Sequence, residues 1–184
     1  MNINNNKGMY IESLINRTIN YLNNHNIAYI EKRNVPYKIF KIINNNVFLG
    51  NIYSKSTVDY TGVYLNHHIE FEAKQTASCD FDLRLIKNHQ FNFLKNMYEK
   101  QNCICFLIIQ FYNIDETYLL PIQNLIEYCA INKKKIIPYC SIVKMSYRLE
   151  IIFPGILNLT DCLQQSIENM NQRKEGKYGR KFKE

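Results

Sequence analysis

The stretch Cys103-Ile104-Cys105-Phe106-Leu107-Ile108-Ile109 is apolar at every position. A strand with one solvated face alternates apolar and polar residues, whereas a strand that is apolar on both faces needs a covering layer on each side. The stretch therefore predicts the central strand of a sheet that has helices on both sides. The predicted fold class is α/β, with a mixed β-sheet flanked by helices.

The residues upstream of this strand predict a helix followed by a hairpin. Residues 27–32 and 37–43 have the composition of strands, and residues 47–53 can pair with the second of them. Residues 35–55 are therefore predicted to form a protruding β-hairpin, called the stalk below. A helix is predicted over residues 9–24 because its apolar residues recur on one face, at Ile11, Leu14, Ile15, Ile19 and Leu22.

A second hairpin is predicted nearer the centre of the chain. Its first arm comprises residues 58–60 and 63–65 around a turn at Thr61-Gly62, and its second arm comprises residues 68–74. The second arm alternates apolar and charged residues, so Glu70, Glu72 and Lys74 share one face. The remaining predicted elements are helices over residues 86–99, 122–132 and 159–171 and a short strand over residues 118–121.

Length and composition indicate a folded, soluble protein. The chain has 184 residues, of which 46% are hydrophobic and 13% aromatic, a length that suits one domain, predicted over residues 1–172. No apolar run reaches the roughly 18 residues needed to span a bilayer. The residues after Met1 lack the apolar stretch of a signal peptide. We therefore expect a cytoplasmic protein with no membrane partner.

The six cysteines are spaced without a CxxC pair or a cysteine–histidine cluster, which argues against a zinc site. Cys103 and Cys105 lie in the apolar stretch and are predicted to be buried, reduced thiols.

The charge balance favours a polyanionic partner. The net charge is +7 at pH 7, although charge alone does not identify a nucleic-acid-binding protein. Residues 173–184 carry six Lys or Arg against two Glu, with two glycines. They are predicted to form a flexible basic C-terminal tail.

Asp59, Glu72 and Lys74 are the residues whose chemistry points to an active site. If the second hairpin folds back on itself, Asp59 approaches Glu72, and Lys74 lies on the same face two residues later. Two converging carboxylates suit a hard divalent cation, which takes oxygen ligands at about 2.0–2.1 Å for Mg²⁺. Lys74 can orient an attacking water or neutralise charge on a phosphate. The alternative is an ordinary acidic surface hairpin.

Asp59, twelve intervening residues and then Glu72-Ala73-Lys74 match the D…ExK pattern of the PD-(D/E)xK nuclease superfamily. A longer match resembles RecU, the Holliday-junction resolvase family of Firmicutes and mollicutes, whose AT-rich genomes agree with the heavy use of Asn, Ile, Lys and Tyr. The resemblance implies a restriction-endonuclease-like fold and an endonuclease that resolves Holliday junctions by paired nicking during DNA recombination and repair. The matching segments run in order from about residue 7 to 155: Lys7-Gly8-Met9 with Glu12, Ser56-Thr57-Val58-Asp59-Tyr60-Thr61-Gly62-Val63-Tyr64, Ile69-Glu70-Phe71-Glu72-Ala73-Lys74-Gln75-Thr76, His89-Gln90, and the apolar stretch quoted first.

The resemblance also implies a set of site residues. Mg²⁺, for which Mn²⁺ can substitute, would be held by Thr57, Asp59, Glu72 and Gln90, with Lys74 as the transition-state stabiliser. Without the resemblance, Thr57 is equally well an ordinary strand residue and Gln90 a solvated helix position. Glu12 corresponds to an acidic residue that related nucleases carry near the site on their first helix. Its alternative is a polar-face glutamate in the first turn of that helix.

Junction specificity is a further implication of the resemblance. It implies a homodimer with two active sites, a stalk that inserts at the branch point of four-way junction DNA, and recombinase and branch-migration proteins as possible partners. The predicted DNA contacts are Lys7, Lys32, Arg33, Lys38, Lys41 and Lys55. A solvated charged edge is the alternative for any one of them. His67 and His68 are predicted to be turn or DNA-facing residues.

The sequence departs from the family pattern at its start. RecU proteins usually carry a longer basic region before Gly8-Met9, and here only about seven residues precede it. The basic tail over residues 173–184 is a candidate to replace that arm. Two other functions stay open: a PD-(D/E)xK endonuclease of different specificity, and a junction-binding protein that does not cut.

Overall fold

The computed structural model describes residues 7–44, 47–52, 57–101 and 103–181, and only the backbone of residues 7–9 and 173–181. Five α-helices and twelve strands are found in these ranges. In chain order they are α1 (Lys7–Asn24), β1 (Tyr29–Lys32), β2 (Tyr37–Asn44), β3 (Val47–Ile52), β4 (Tyr60–Tyr64), β5 (His67–Thr76), β6 (Phe81–Asp82), α2 (Asn88–Gln101), β7 (Ile104–Phe111), β8 (Glu116–Pro121), α3 (Ile122–Ile131), β9 (Ile136–Ile137), α4 (Tyr139–Met145), β10 (Tyr147–Leu149), β11 (Ile151–Ile152), β12 (Ile156–Leu157) and α5 (Leu159–Lys181).

A six-stranded sheet with the order β1-β4-β5-β7-β8-β10 forms the centre of the fold. β5 and β7 are parallel, from the pair Ile69↔Ile104 to the pair Thr76↔Phe111, and the other neighbours are antiparallel. The predicted mixed sheet is therefore confirmed.

β7 is buried at all eight positions, as its apolar sequence predicts. Phe106 and Ile108 belong to the core that α1 and α5 cover, whereas Leu107 and Ile109 belong to the core on the opposite face. On the first face Phe71 stacks between Tyr60 and Phe106, with ring centroids 4.6 and 4.7 Å apart. Cys103 and Cys105 are buried free thiols, as predicted.

The stalk is confirmed over the part of the chain that the structure describes. β2 and β3 pair only with each other, and every residue in both strands is exposed. Lys55, the last residue of the predicted stalk segment, lies outside the described residues.

The predicted turn at Thr61-Gly62 is wrong. β4 runs without interruption from Tyr60 to Tyr64, and the hairpin turns at Leu65 and Asn66, both of which have positive φ angles (46° and 63°). Gly62 instead allows β1 to approach β4 closely, because a Cβ atom at this position would lie 2.3 Å from the Tyr29 carbonyl oxygen. The later turn also puts His67 and His68 at the start of β5, not in the turn.

The helices predicted over residues 9–24, 86–99 and 122–132 correspond to α1, α2 and α3. The short helix α4 was not predicted, and the last helix is longer than predicted. α5 continues to Lys181, ten residues past the predicted end at Asn171. The reason is that Lys, Arg and Glu are good helix formers, and the two glycines of this segment each cost only about 1 kcal/mol. The predicted flexibility of residues 173–184 stays a prediction. In the described ranges no helix has the length and apolar character to cross a bilayer.

Candidate active site

The register of β4 on β5 brings the two predicted carboxylates together. Tyr60 pairs with Phe71, so Asp59 lies opposite Glu72 at the point where β4 begins. The backbone amide of Asp59 donates to Glu72 Oε2 at 3.0 Å. Residues thirteen apart in sequence therefore meet at one end of the sheet, as the hairpin prediction required.

Lys74 completes the group from the same strand. Its Nζ atom donates to Glu72 Oε1 at 2.5 Å. The Glu72 side chain is only 1% exposed, whereas that of Lys74 is 19% exposed. Lys74 therefore connects the buried carboxylate to the surface, from which a substrate would approach.

Burial changes the proton affinity of Glu72. Its pKa is raised from the ordinary value of 4.5 to about 7, and burial is the largest cause. The hydrogen bond and charge of Lys74 lower this pKa, whereas the charge and hydrogen bonding of Asp59 raise it. Two carboxylates that face each other in a buried site disfavour joint ionisation, and a cation bound between them removes that cost.

The donor set fits a hard divalent cation. As predicted ligands, Asp59 and Glu72 would supply carboxylate oxygens, and Thr57 and Gln90 would supply neutral ones, a set that suits a hard divalent cation. In the described residues no three His, Cys, Asp or Glu side chains are grouped closely enough to hold a metal. Two carboxylates would therefore need neutral oxygens or water to complete the coordination shell.

Thr57 lies beside Asp59, before β4 begins. Its Oγ1 atom accepts a hydrogen bond from Arg33 Nη1 at 2.5 Å, and the Asp59 carbonyl accepts one from the Arg33 backbone amide at 2.7 Å. A hydroxyl oxygen has two lone pairs, so this bond leaves Thr57 one lone pair for a ligand.

Gln90 is 6% exposed, so the interpretation as a solvated helix position is wrong. Its Oε1 atom accepts from the Lys87 backbone amide at 3.1 Å, which caps the first turn of α2. Ligation by Gln90 would require that this oxygen be shared or that the bond to Lys87 be exchanged for a metal bond.

Glu12 lies in the second turn of α1, not in the first turn as the alternative interpretation supposed, because the helix begins at Lys7. Its Oε2 atom accepts from Lys32 Nζ at 2.6 Å, across from the end of β1. Burial raises the pKa of Tyr60, and the charges of Glu12, Asp59 and Glu72 raise it further. Glu12 therefore acts electrostatically on the same tyrosine as Asp59 and Glu72, and its role as a supporting residue of the site stays a prediction.

A buried carboxylate beside the site has a role that the sequence did not reveal. Glu70 Oε1 accepts from Arg33 Nη2 at 2.5 Å, from His68 Nε2 at 2.8 Å and from Thr61 Oγ1 at 3.1 Å. The period-two pattern of β5 placed Glu70 on the face of Glu72, but its partner Arg33 comes from the segment that follows β1. No local signal in the sequence predicts that pairing.

The predicted DNA contacts have different surroundings. Lys38 and Lys41 are exposed on β2 of the stalk. Lys32 pairs with Glu12 and Arg33 with Glu70. The side chain of Lys7 and the whole of Lys55 lie outside what the structure describes. None of these arrangements tests DNA binding, so the contacts stay predictions.

An α/β fold whose central sheet presents two carboxylates and a lysine at one end defines a candidate site for metal-dependent phosphodiester hydrolysis. Comparison with known proteins then identifies the family. The family model "Recombination protein U" (RecU) matches residues 6–165. The chain belongs to the RecU family.

The curated relatives agree with this assignment. Holliday junction resolvase RecU of Ureaplasma parvum is 39% identical over 155 residues, which cover 84% of this chain and 90% of that protein. Its namesake in Streptococcus sanguinis is 33% identical over 153 residues, covering 79% and 76% of the two chains. A solved structure, the Holliday junction resolvase Hjc of Archaeoglobus fulgidus, covers 61% of this chain and 82% of its own, with 10% identity and a TM-score of 0.38.

Proposed function

We propose that this protein is a structure-selective endonuclease that resolves Holliday junctions by metal-dependent paired nicking, in DNA recombination and repair. The proposal is supported by its RecU relatives, which are named Holliday junction resolvases. The observation that carries it is the meeting of Asp59, Glu72 and Lys74 at one end of β5, with the Asp59 amide and Lys74 Nζ both bonded to the Glu72 carboxylate. The proposed location is the cytoplasm, and residues 1–172 are the proposed nuclease domain.

The proposed cofactor is Mg²⁺, with Mn²⁺ as a substitute. Asp59 and Glu72 would hold it through carboxylate oxygens, and Thr57 and Gln90 would add neutral oxygens. A divalent cation at this position supplies Lewis acidity toward a phosphate oxygen and lowers the pKa of a bound water. Glu72 must be ionised to bind it, and the Lys74 ammonium favours that ionised form.

Lys74 has a second task in the proposed reaction. Its ammonium is partly exposed and lies next to the buried carboxylate, so it can contact the scissile phosphate from the substrate side. Negative charge grows on the phosphate oxygens in the transition state, and a fixed cation stabilises it more there than in the ground state. Glu12, whose charge raises the pKa of Tyr60 as the charges of Asp59 and Glu72 do, is a proposed supporting residue.

Selectivity for junctions is assigned to the stalk and to a homodimer. Large apolar side chains are exposed along the stalk, among them Phe40, Ile42 and Ile52, at 62%, 70% and 71%. Such side chains can contact unpaired or unstacked bases at a branch point, and Lys38 and Lys41 can contact the flanking phosphates. Recombinase and branch-migration proteins are proposed partners of the same complex.

The deciding experiment incubates the purified protein with a mobile four-way junction and with a matched duplex, each with Mg²⁺ or with EDTA. Paired symmetric nicks in the junction alone, and only with metal, are expected. Equal cutting of the duplex would favour a PD-(D/E)xK endonuclease of other specificity. Binding of the junction without any cutting would favour a non-cleaving junction-binding protein.

The Asp59→Asn variant assigns the cutting to this site. It should bind the junction with unchanged affinity in EDTA and leave it uncut in Mg²⁺. Cutting at the wild-type rate would show that the active site lies elsewhere.

A further inference from the structure

Arg33 directly follows β1 and contacts the candidate site through three donor groups. Its backbone amide donates to the Asp59 carbonyl at 2.7 Å, and its Nη1 atom donates to Thr57 Oγ1 at 2.5 Å. Its Nη2 atom donates to Glu70 Oε1 at 2.5 Å. Arg33 thus holds both residues that flank Val58, and a third residue on β5.

Glu70 holds the guanidinium in place. Its side chain is 1% exposed, and a carboxylate buried to this degree needs a nearby cation and hydrogen bonds to offset its loss of hydration. Arg33 supplies the cation, while Thr61 and His68 supply further donors to the same oxygen. Glu70 therefore binds Arg33 and is not assigned as a metal ligand, although it shares a strand face with Glu72. Asp59 and Glu72 then remain as the carboxylate pair of the site.

The arrangement depends on the shape of arginine. The planar guanidinium presents Nη1 and Nη2 to two acceptors at a fixed separation, which a single ammonium group cannot do. The ring of Phe93 on α2 lies 5.5 Å from Arg33 Cζ and limits the movement of the guanidinium. The segment after β1, the strand β5 and the helix α2 therefore each contribute to the position of Thr57 and Asp59.

We propose that Arg33 is a positioning residue of the metal site: held by Glu70, it fixes Thr57 and Asp59 in the geometry that binds the divalent cation. This inference rests on the proposed function, because it takes Thr57 and Asp59 as ligands. It gives Arg33 an intramolecular role, in place of the phosphate contact predicted from the sequence. Outer partners that orient metal ligands are worth about 10–100-fold in metal affinity.

The test is a calorimetric titration of Mn²⁺ into the full-length protein without DNA. The Arg33→Lys variant keeps the charge and loses the fork, so its Mn²⁺ affinity should fall at least about tenfold. Arg84→Lys is the matched control, because it alters an exposed arginine–carboxylate pair with Asp82, and its Mn²⁺ affinity should equal that of the wild type. A folded Arg33→Lys variant with wild-type Mn²⁺ affinity would overturn the inference.

Glu70→Gln is the second variant, in case Arg33→Lys does not fold. The amide keeps the size of the side chain but removes the charge that holds Arg33, so Mn²⁺ affinity should again fall. Wild-type affinity in this variant would also overturn the inference. Circular dichroism of each variant establishes that it is folded before titration.

Junction binding in EDTA separates the positioning role from a phosphate contact. The positioning role predicts that Arg33→Lys binds the junction as the wild type does, whereas a phosphate contact predicts weaker junction binding with unchanged Mn²⁺ affinity. The same Mn²⁺ titrations also test the proposed function separately from the role of Arg33. Failure of the wild type to bind Mn²⁺, or retention of Mn²⁺ binding by Asp59→Asn, would contradict the proposed site itself.

Discussion

Glu72 and Lys74 lie two residues apart on β5, and their side chains meet with 2.5 Å between Glu72 Oε1 and Lys74 Nζ. The pair joins a carboxylate that is removed from solvent to a cation that solvent reaches. Burial raises the pKa of Glu72, whereas the hydrogen bond and the charge of Lys74 lower it. Lys74 therefore affects both metal binding and transition-state charge.

Replacement of Lys74 tests this double role. Lys74→Met keeps the length of the side chain and removes its charge, so we expect junction cleavage in Mg²⁺ to slow by about 10²–10³-fold. Junction binding in EDTA should stay within about twofold of the wild type. Lys95→Met on α2, which breaks an exposed pair with Glu99, is the control and should cut at the wild-type rate. Equal cleavage by both variants would remove Lys74 from the mechanism.

The raised pKa of Glu72 predicts a pH dependence of stability without metal. A carboxyl whose pKa is 4.5 in the unfolded chain and about 7 in the folded one stabilises the fold fully below pH 4.5. That contribution is lost as the pH rises toward 7, by an amount on the order of 3 kcal/mol.

The measurement compares urea unfolding of the wild type and of Glu72→Gln in EDTA, from pH 4.5 to 7.5. The wild type should lose stability relative to the variant as the pH rises, because only the wild type carries the titrating group. Mn²⁺ should restore the stability of the wild type at pH 7.5. A difference that does not change with pH would contradict the raised pKa.

Gly62 is expected to tolerate no side chain. In Gly62→Ala the new Cβ atom would lie 2.3 Å from the Tyr29 carbonyl oxygen and 2.8 Å from Ile30 Cα, so β1 and β4 must separate. Overpacking against backbone costs about 1–3 kcal/mol and sometimes more. Val63→Ala, at an exposed position of the same strand, should cost less than about 1 kcal/mol. Chemical denaturation of the two variants measures the contrast, and equal stabilities would argue against the close approach.

The stalk can be removed without disturbing the sheet. Tyr37 and Ile52 are partners at the base of the β2–β3 ladder, so an Asn-Gly turn can join them in place of residues 38–51. The shortened protein should bind Mn²⁺ normally and lose its preference for a four-way junction over duplex by at least about tenfold, since the exposed apolar and basic residues are gone. Unchanged preference in a competition binding assay would assign selectivity to another surface.

The basic C-terminal segment is predicted to add phosphate contacts. Deletion of residues 173–184 removes six positive charges against two negative ones, so junction binding should weaken and its dependence on salt concentration should become shallower. The measurement is the slope of log K against log salt in EDTA for the full-length and shortened chains. Identical affinities and slopes would exclude a role in DNA binding.

The sequence predicted those features that depend on local patterns. The uninterrupted apolar residues of β7 indicated a strand covered on both faces, and the spacing of Asp59, Glu72 and Lys74 indicated their meeting. Features that depend on distant partners were not predictable. Thr61-Gly62 has the composition of a turn, but only the neighbouring strand β1 requires the glycine. Arg33 looks like a surface cation until the fold brings Glu70 and Thr57 to it.

The burial of β7 also has a consequence for how the molecule opens. Both edges of β7 are hydrogen-bonded, to β5 and to β8, and every residue in it is buried. Its amides should exchange with deuterium only through global unfolding, and those of β5 beside it almost as slowly. The stalk strands, exposed throughout, should exchange within seconds to minutes. Glu72 and Lys74, two of the three residues proposed to cut DNA, therefore stand on a strand that is expected to open rarely. The residues proposed to contact the branch point belong to strands that are expected to open most often.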